Sequence, residues 1–322
     1  MDDNIFISIP SYKDDQCSTT LDLIYKNARN PEKVYCGVYL QIDPDKSTQH
    51  CKINSYIPKN HVRYIAVHHE VANGPLHARA IIMKQLYNGE KYILWIDAHT
   101  IFLKDWDMDA KNYLEYLNKT KKIKKPIISG YPADINNNED ATYLNSRIKE
   151  NNEIWPSVFE ALPQPGGDFY KSYFMAAGCM FTYGKFYSEA LNRIDFLNLV
   201  NNLGPIFNGE ELILALIAYI NNWEIYSIPH TFIKHKYKSN DDKLDDGTHF
   251  SKGMTQENRN YLKYLVFSNK SCLNFKNRTV FDFYKKIGWS MVDDTNLPWD
   301  KRWPKASRDK LMYKTKIIKY NK

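Results

Sequence analysis

The chain of 322 residues and 37.9 kDa is 43% apolar and 14% aromatic, which supports a large hydrophobic core and excludes a disordered protein. Its longest apolar run, residues 212–220, is well short of the roughly 20 residues that a membrane-spanning helix needs. The net charge of +7 comes from nine Lys or Arg against two Asp in residues 300–322, so the neutral remainder excludes a nucleic-acid-binding face, and the basic end is expected to be solvated.

Strands and helices alternate through the first 107 residues. Runs of β-branched and aromatic residues predict strands, and apolar residues at helical spacing predict helices. In chain order we predict a strand at 5–9, a helix at 17–27, strands at 34–42 and 62–67, a turn at 73–75, a helix at 76–87 and a strand at 92–96. This alternation with short connections predicts an α/β fold with a mostly parallel, doubly wound sheet flanked by helices.

The pattern is less regular after Trp106. We predict a helix at 108–120, a strand at 127–130, a polar loop at 134–142, a long functional loop at 155–174, a strand at 177–183, a buried helix at 210–221, a strand at 224–228 and helices at 257–267 and 280–287. No repeat or clear linker interrupts these elements. Residues 1–290 are therefore predicted to form one domain, followed by a basic tail at 291–322.

The cysteines are scattered, odd in number and form no CxxC pair; they are Cys17, Cys36, Cys51, Cys179 and Cys272. We interpret them as reduced, mostly buried thiols. The first predicted strand also starts close to Met1, which leaves no room for a signal peptide. Both observations predict a cytoplasmic protein.

Asp97 and His99 stand at the carboxyl end of the most apolar predicted strand, with Ala98 between them. Residues i and i+2 of an extended segment project to the same side, and the carboxyl ends of strands are where α/β sheets bind ligands. A divalent ion held there would bridge two phosphates. Mixed oxygen and imidazole ligands favour Mn²⁺ over Mg²⁺ or Ca²⁺. On this pattern alone, a capped strand end is an equal alternative.

Other short motifs give little information about function. Asp43 and Asp45 have the same acid–x–acid spacing but flank a proline in a polar turn, and Asp105 to Asp109 are expected to cap the next helix. The signatures of dinucleotide-binding proteins, P-loop enzymes, serine hydrolases and HExxH metalloproteases are absent.

Six blocks of the chain carry a family resemblance: IFISIPSYKDDQC (5–17), NPEKVYCGVYLQ (30–41), GPLHARAIIMKQLYNGEKYILWIDAHTIFLKDWD (74–107), FMAAGCMFTYGKF (174–186), FNGEELILALIAYINNWEIYSIP (207–229) and IKHKY (233–237). In this order they resemble glycosyltransferase family 60, whose members include N-acetylglucosaminyltransferases acting on hydroxyproline of a cytosolic ubiquitin-ligase adaptor. Where the family has Asp-Ser-His, this chain has Asp97-Ala98-His99, and Asn208 stands where the family tends to have an aromatic residue.

The resemblance implies a GT-A type fold, with nucleotide and metal bound by residues 1–107 and the donor sugar and acceptor facing residues 108–290. It implies a metal-dependent, retaining enzyme that moves a sugar, with GlcNAc favoured, from a UDP-sugar to a hydroxyl acceptor such as hydroxyproline, Ser or Thr of a protein. Mn²⁺ is the favoured ion and Mg²⁺ the alternative. No oligomeric state follows from it.

Roles for individual residues follow from the matched blocks. Asp97, His99 and His235 are implied metal ligands. The implied donor contacts are Ser11, Tyr12 and Asp14 for uracil and ribose, Arg79 for phosphate and Gly178 for the sugar. Glu210 or Glu211, with Glu211 favoured, is implied to orient the acceptor hydroxyl or the donor sugar, and Asp168 is a further candidate acid.

Several of these residues have a plain structural alternative. His235 or Arg79 would then be a surface residue, Tyr12 a packed loop tyrosine and Gly178 a packing glycine. The two glutamates would only complement the dipole of a helix. Because the sequence identifies no isolated carboxylate as a nucleophile, attack from the leaving-group side, with the departing phosphate as base, is the favoured route to retention.

Three other functions stay open at this point. One is a glycan-building enzyme that uses UDP-Glc, UDP-Gal or UDP-GalNAc. The second is an inactive nucleotide-sugar-binding protein, which the presence of Asp97, His99, Glu211 and His235 disfavours. The third is a different nucleotidyl- or phosphate-transferring α/β enzyme.

Overall fold

The structure is a computed structural model that describes residues 3–136, 142–149, 157–163, 167–206, 209–237, 253–268, 270–287 and 316–320. The strands, in chain order, are β1 (Ile5–Tyr12), β2 (Val34–Ile42), β3 (Val62–His68), β4 (Tyr92–Ile96), β5 (Thr100–Phe102), β6 (Pro126–Ser129), β7 (Ala133–Asp134), β8 (Thr142–Lys149), β9 (Ser157–Pro163), β10 (Phe169–Ser172), β11 (Cys179–Tyr183), β12 (Glu224–Tyr226), β13 (Ile233–His235) and β14 (Ile317–Ile318). The α-helices are α1 (Cys17–Asn27), α2 (Pro75–Gln85), α3 (Trp106–Glu115), α4 (Phe196–Leu203), α5 (Glu210–Ile220), α6 (Gln256–Phe267) and α7 (Val280–Lys286).

A nine-stranded sheet with the spatial order β14-β10-β12-β6-β11-β4-β1-β2-β3 forms the centre of the molecule. The strands β3, β2, β1 and β4 are parallel neighbours, whereas β11 runs antiparallel to both β4 and β6. Because β12 is parallel to β6 and β10 is antiparallel to β12, only β10 and β11 oppose the common direction of this sheet. The prediction of a mostly parallel α/β sheet is confirmed.

Alternating side chains of the strands feed two hydrophobic cores, one on each face of the sheet. In β4, Ile93 and Trp95 belong to the core covered by α2, α4, α5, α6 and α7. Tyr92, Leu94 and Ile96 belong to the core covered by α1 and α3. All five side chains are almost completely buried, which explains why this strand has no polar residue before Asp97. No helix within the described ranges has both the length and the apolar character needed to cross a bilayer.

A three-stranded sheet with the order β5-β13-β7 packs beside the large one. In it, His235 is paired with Thr100 on one side and with Asp134 on the other. This small sheet, which the sequence did not predict, joins segments that are far apart in the chain.

The predicted loop at 155–174 is wrong in part. Strands β8 and β9 form an antiparallel hairpin, and β10 joins the large sheet, so the described part of this segment is largely extended and paired. The predicted polar loop at 134–142 ends in β8, while residues 137–141 lie outside the described ranges. Residues 150–156, 164–166 and Asn208 also lie outside them.

The basic end is not wholly solvated. Ile317 and Ile318 pair with Tyr170 and Phe169, and Tyr320 packs edge-on against Phe169 at a ring-centroid distance of 5.4 Å. The prediction of a solvated end is therefore wrong for residues 316–320, because apolar residues alternate with the charges there. Of the rest of the predicted tail, residues 291–315 and 321–322 lie outside the described ranges.

Cys17 and Cys51 form a disulfide, which contradicts the prediction of five reduced thiols. The Cα atoms are 5.3 Å apart, because the loop after β2 returns to the first turn of α1. Cys36 and Cys179 are free and buried, and Cys272 is free and exposed. Since disulfides persist mainly in oxidising compartments, the cytoplasmic prediction loses the support that it drew from reduced thiols.

The acids before α3 do not cap it with their side chains. Asp105 holds the N-cap position in a left-handed conformation (φ 59°) without a side-chain capping hydrogen bond. Asp107 is completely buried and accepts hydrogen bonds from the backbone N–H groups of Arg29 (2.7 Å) and Asn30 (3.1 Å). It therefore anchors the loop after α1 instead of capping α3.

Candidate functional site

The candidate site lies at the carboxyl edge of the large sheet, beside the junction of β1 and β4. Strand β1 is flanked by β2 on one side and by β4 on the other, so the chain reverses its direction of strand addition at β1. Crevices form at such reversals because the connections leave in opposite directions. Asp14 follows β1 and Asp97 follows β4, which places both acids at this crevice.

Asp97 is held by two basic side chains from different elements. Arg79 of α2 donates from one Nη to Asp97 Oδ1 at 2.8 Å and from the other to the carbonyl oxygen of Ile96 at 3.0 Å. His235 Nε2 lies 3.2 Å from Asp97 Oδ2. Burial opposes ionisation of Asp97, but the His235 contact and the charge of Arg79 hold its pKa below the ordinary value. Asp97 is therefore an ionised, oriented carboxylate.

Arg79 is completely buried, so the alternative of a surface arginine is wrong. Its guanidinium faces Asp97 and the end of β4, not the open crevice. In this structure Arg79 therefore contacts the Asp97 carboxylate, where the sequence predicted a contact with phosphate.

His99 is fixed by Asp14, whose Oδ2 lies 2.7 Å from His99 Nδ1. A carboxylate only accepts hydrogen bonds, so this contact places the proton on Nδ1 and the lone pair on Nε2. A carboxylate behind an imidazole is the usual support of a metal-ligating histidine. Asp14, predicted to contact ribose or uracil, instead orients His99 in this structure.

The turn that carries Asp97 and His99 is tied to its neighbours by hydroxyl groups. Thr20 Oγ1 of α1 is 2.7 Å from the Ala98 carbonyl oxygen and 3.0 Å from that of Thr100, and Thr100 Oγ1 donates to the Asp97 carbonyl at 2.8 Å. The Ala98 side chain lies in the core under α1 and α3. The serine-to-alanine departure at this position therefore faces away from the acid and the histidine.

His235 reaches the site through the register of β13 against β5. Its ring centroid is 4.5 Å from that of His99, and 12% of its side chain is exposed, which rules out a surface histidine. Its Nδ1 is buried and has no hydrogen-bond partner among the residues that the structure describes. One ligand atom from each of Asp97, His99 and His235 lies within 4.8 Å of the others. One carboxylate and two imidazoles with this spacing fit a divalent ion of the Mn²⁺ or Zn²⁺ type that keeps further positions for other ligands.

Gly178 lies against Asp97. A Cβ atom at this position would overlap Asp97 Oδ2, so any side chain would displace the carboxylate. The glycine therefore has a packing role towards the acid. A role towards the sugar, as predicted, stays a prediction.

Glu210 and Glu211 open α5 and belong to the same electrostatic environment. Burial, followed by repulsion from Asp97, raises the pKa of Glu211 to about 7, although backbone hydrogen bonds oppose the shift. Burial also raises the pKa of Glu210, against the attraction of Arg79, and Glu210 Oε2 is buried without a hydrogen-bond partner in the described part of the chain. A carboxyl group that changes protonation near neutral pH is suited to bind or exchange a proton with a hydroxyl group.

The sequence reasoning missed two tyrosines, Tyr131 near Glu211 and Tyr237 beside His235. Burial, followed by the negative charge of Glu211, raises the pKa of Tyr131. The Tyr237 ring packs on His235 at 4.3 Å, and its hydroxyl donates to the Pro132 carbonyl at 2.9 Å. Tyr131 could have been identified from its position directly after a predicted strand, because Asp97 has the same position after its own strand.

The other predicted residues lie around or away from this cluster. Ser11 is buried near the end of β1, and its hydroxyl has no hydrogen-bond partner. Tyr12 meets His69 edge-on at 6.5 Å. Asp168 is not brought to the cluster: β11, β6 and β12 separate its strand from β4, about 19 Å at the usual strand spacing. Asp168 instead pairs with Lys319 at 2.6 Å and accepts from the Tyr320 N–H at 3.2 Å, so it holds the C-terminal strand.

Comparisons with known proteins show a family and a fold. The family model described as "Glycosyltransferase (GlcNAc)" matches residues 4–56 and 41–288. The structure of GalNAc-T7 with UDP, GalNAc and Mn²⁺ is similar, with a TM-score of 0.57 and 13% identity over 88% of this chain and 50% of that one. S. aureus TarS 1–349 matches with a TM-score of 0.45 and 12% identity over 72% of this chain and 60% of that one.

The chain thus covers no more than about 60% of either of these solved structures. At such low identity the GalNAc-T7 match supports the fold only, which is GT-A-like. No curated protein matches the chain significantly.

Proposed function

We propose, from the premise that this chain belongs to the glycosyltransferase (GlcNAc) family, that it is a metal-dependent enzyme transferring a sugar from a UDP-sugar to a hydroxyl acceptor. The observation that carries the metal and the donor is the convergence of Asp97, His99 and His235 at the carboxyl edge of the sheet. The fold shared with GalNAc-T7, a protein solved with UDP, GalNAc and Mn²⁺, is consistent with it.

Asp97, His99 and His235 would hold Mn²⁺, with Mg²⁺ as the alternative. When bound, the ion would neutralise the charge that the leaving diphosphate develops. Arg79 keeps Asp97 ionised and oriented, and Asp14 keeps the lone pair of His99 on Nε2. We place the uracil and ribose near Ser11 and Tyr12, and the donor sugar near Gly178.

Glu211 is proposed to bind the acceptor hydroxyl or a hydroxyl of the donor sugar, with Glu210 behind it. The raised pKa of Glu211 supports this assignment, because its carboxyl group can both donate and accept near neutral pH. We propose that the configuration at the anomeric carbon is retained by attack from the leaving-group side, the departing phosphate taking the proton of the acceptor hydroxyl. Asp168 has no part in this proposal.

GlcNAc is the favoured donor sugar because the family description and the blocks resembling glycosyltransferase family 60 both point to it. The same blocks favour a protein acceptor, with hydroxyproline, Ser or Thr as the receiving residue. Residues 1–107 would then form the nucleotide-binding half and 108–290 the acceptor half of one domain. A cytoplasmic location stays a prediction, and the Cys17–Cys51 disulfide argues against it.

The test is a panel of UDP-GlcNAc, UDP-GalNAc, UDP-Glc and UDP-Gal with Mn²⁺, in which release of UDP is measured with and without EDTA. We expect UDP-GlcNAc to be turned over fastest, activity to be lost in EDTA and restored by added Mn²⁺, and the α-linked donor to give an α-linked product. Faster turnover of UDP-GalNAc would move the assignment to a glycan-building or GalNAc-transferring enzyme. The proposal is refuted if the protein neither binds nor hydrolyses any of the UDP-sugars.

A further inference from the structure

A cavity of about 630 Å³ opens at the amino edge of the large sheet, opposite the edge that carries Asp97. It lies where β6 and β12 begin and β10 ends, and it is bordered by the C-terminal part of α5. Glu211 opens α5 and Asn222, which lines the cavity, follows its end, so the two places are about 16 Å apart along the helix axis. The cavity is therefore separate from the candidate active site.

The lining of this cavity is strongly basic. Fourteen residues of the described part of the chain line it; six of these are Lys or Arg, and Glu224 is the one acid among them. Lys171 pairs with Glu224 at 2.5 Å, and Lys125 pairs with Glu189 at 2.7 Å. Lys122, Lys124 and Lys286 are exposed, and within the described ranges they form no ion pair. The cavity thus has an excess of positive charge in a chain that is otherwise neutral outside residues 300–322.

Its wall is also built from fixed aromatic and guanidinium groups. Arg278 lies 4.8 Å from the Tyr219 ring centroid and donates to the Tyr219 carbonyl at 2.8 Å, so its guanidinium is held in place. Trp223 is 4% exposed, and its indole N–H has no acceptor within the described ranges. Lys125 lies 5.6 Å from the Trp223 ring centroid. Basic groups on aromatic walls are suited to a ligand that carries both negative charge and a ring.

We propose that this cavity, lined by Lys122, Lys124, Lys125, Lys171, Arg278 and Lys286, binds a small phosphate ester of the size of a sugar phosphate or a mononucleotide. Its volume is in the range of small-molecule sites, roughly 300–1,000 Å³. Several lysines around one point match the two negative charges of a phosphate dianion, whereas a single carboxylate would need fewer positive groups. A long polyanion would require a basic stripe along the surface, and the neutral body of the chain does not supply one.

The experiment compares two triple variants of equal charge change, both in an Asp97→Ala background that removes the proposed donor site. The first is Lys122→Ala/Lys124→Ala/Lys286→Ala. The control, Lys46→Ala/Lys52→Ala/Lys59→Ala, removes three exposed lysines on the loop after β2. Isothermal titration at constant ionic strength, without divalent ions, uses pyrophosphate, glucose 1-phosphate and uridine monophosphate as probes, and a single-stranded oligonucleotide as competitor.

We expect saturable binding of at least one probe at one site per chain, weakened about tenfold or more in the first variant and unchanged in the control. Tighter binding of the esters than of pyrophosphate would indicate that the ring of the ester contacts the aromatic wall. Equal binding would indicate that only the phosphate is recognised. Both results support the site. Equal weakening in the two variants, no saturable binding, or an oligonucleotide that binds more tightly than every small probe would overturn the proposal. Because Asp97 is already replaced, these results are independent of the proposed glycosyl transfer.

Discussion

The two edges of the large sheet carry charge in opposite ways. At the carboxyl edge the charges are few and largely withdrawn from solvent, and several are tied to a partner, as Arg79 is to Asp97 and Asp14 is to His99. At the amino edge they are many and of one sign, and Lys122, Lys124 and Lys286 extend into solvent. The first arrangement fixes ligand atoms in advance, whereas the second attracts an anion without fixing it. Substitutions should therefore be costly at one edge and mild at the other.

The largest effect is expected for Asp97→Ala, which removes the central ligand of the proposed metal site. Mn²⁺-dependent UDP binding and sugar transfer should fall about 10³-fold or more, because the diphosphate loses its counter-charge. The matched control is Asp45→Ala, an exposed acid in a motif of the same spacing. Titration of UDP with Mn²⁺ measures the effect, and unchanged binding in a folded Asp97→Ala protein would refute the site.

Arg79→Leu should lower the free energy of unfolding by about 3–5 kcal/mol, because it leaves the Asp97 carboxylate without its buried partner. Arg29→Leu breaks a pair with Asp105 that is 4.0 Å long and largely exposed, so its cost should stay below about 1 kcal/mol. Urea unfolding of both variants measures the difference. Similar costs would mean that Arg79 does not stabilise Asp97.

Asp14→Asn keeps the size of the side chain but removes the negative charge that supports His99 Nδ1–H and replaces one acceptor oxygen with an NH2 donor. Affinity for Mn²⁺ should fall about 10–100-fold with little change in stability. The neighbouring exposed Asp15 provides the control, as Asp15→Asn. The role assigned to Asp14 fails if the two variants bind Mn²⁺ equally well.

Glu211→Gln should change how stability depends on pH in the metal-free protein. The pKa of Glu211 in the folded chain is raised to about 7 from an ordinary value of 4.5, so the folded state binds more protons between these values and stability falls as pH rises through this window. Glutamine does not titrate, and the variant should gain about 2 kcal/mol relative to the parent between pH 5 and pH 7.5. Unfolding curves at both pH values test this, with the exposed Glu257→Gln as control. A difference independent of pH would contradict it.

The smallest effect is expected at the amino edge. Lys122→Ala/Lys124→Ala/Lys286→Ala should change the free energy of unfolding by no more than about 0.5 kcal/mol, because these side chains are exposed and form no ion pair within the described residues. Urea unfolding checks this at low salt. A loss comparable to that of Arg79→Leu would show that the two edges do not differ in the way described.

Sequence reasoning succeeded where the signal is local. The observed bounds of α1 (Cys17–Asn27), β2 (Val34–Ile42) and β4 (Tyr92–Ile96) equal the predicted ones, because buried runs and caps decide them within a few residues. The placement of Asp97 and His99 on one side of a strand end follows from the same local geometry. The prediction of an α/β sheet needed no contact between distant segments.

It failed where distant segments pair. The β5–β13 register that sets His235 beside Thr100 joins positions 135 residues apart, and no local pattern encodes it. The Cys17–Cys51 bond depends on the path of a polar loop, and the direction of Arg79 depends on how α2 packs on β4. Asp168 was assigned to the site because it lies beside two glycines, whereas in the strand order three strands separate β10, which follows Asp168, from β4.

The pairing of β14 with β10 has a consequence for how the chain matures during synthesis. Phe169 and Tyr170 stay without the partner strand β14 until Ile317 and Ile318 have left the ribosome, so this border of the sheet is open while residues 1–316 have already been synthesised. An open border can recruit a strand from another nascent chain. Translation on crowded polysomes is then the stage at which the open border beside β10 is most exposed to pairing with another chain.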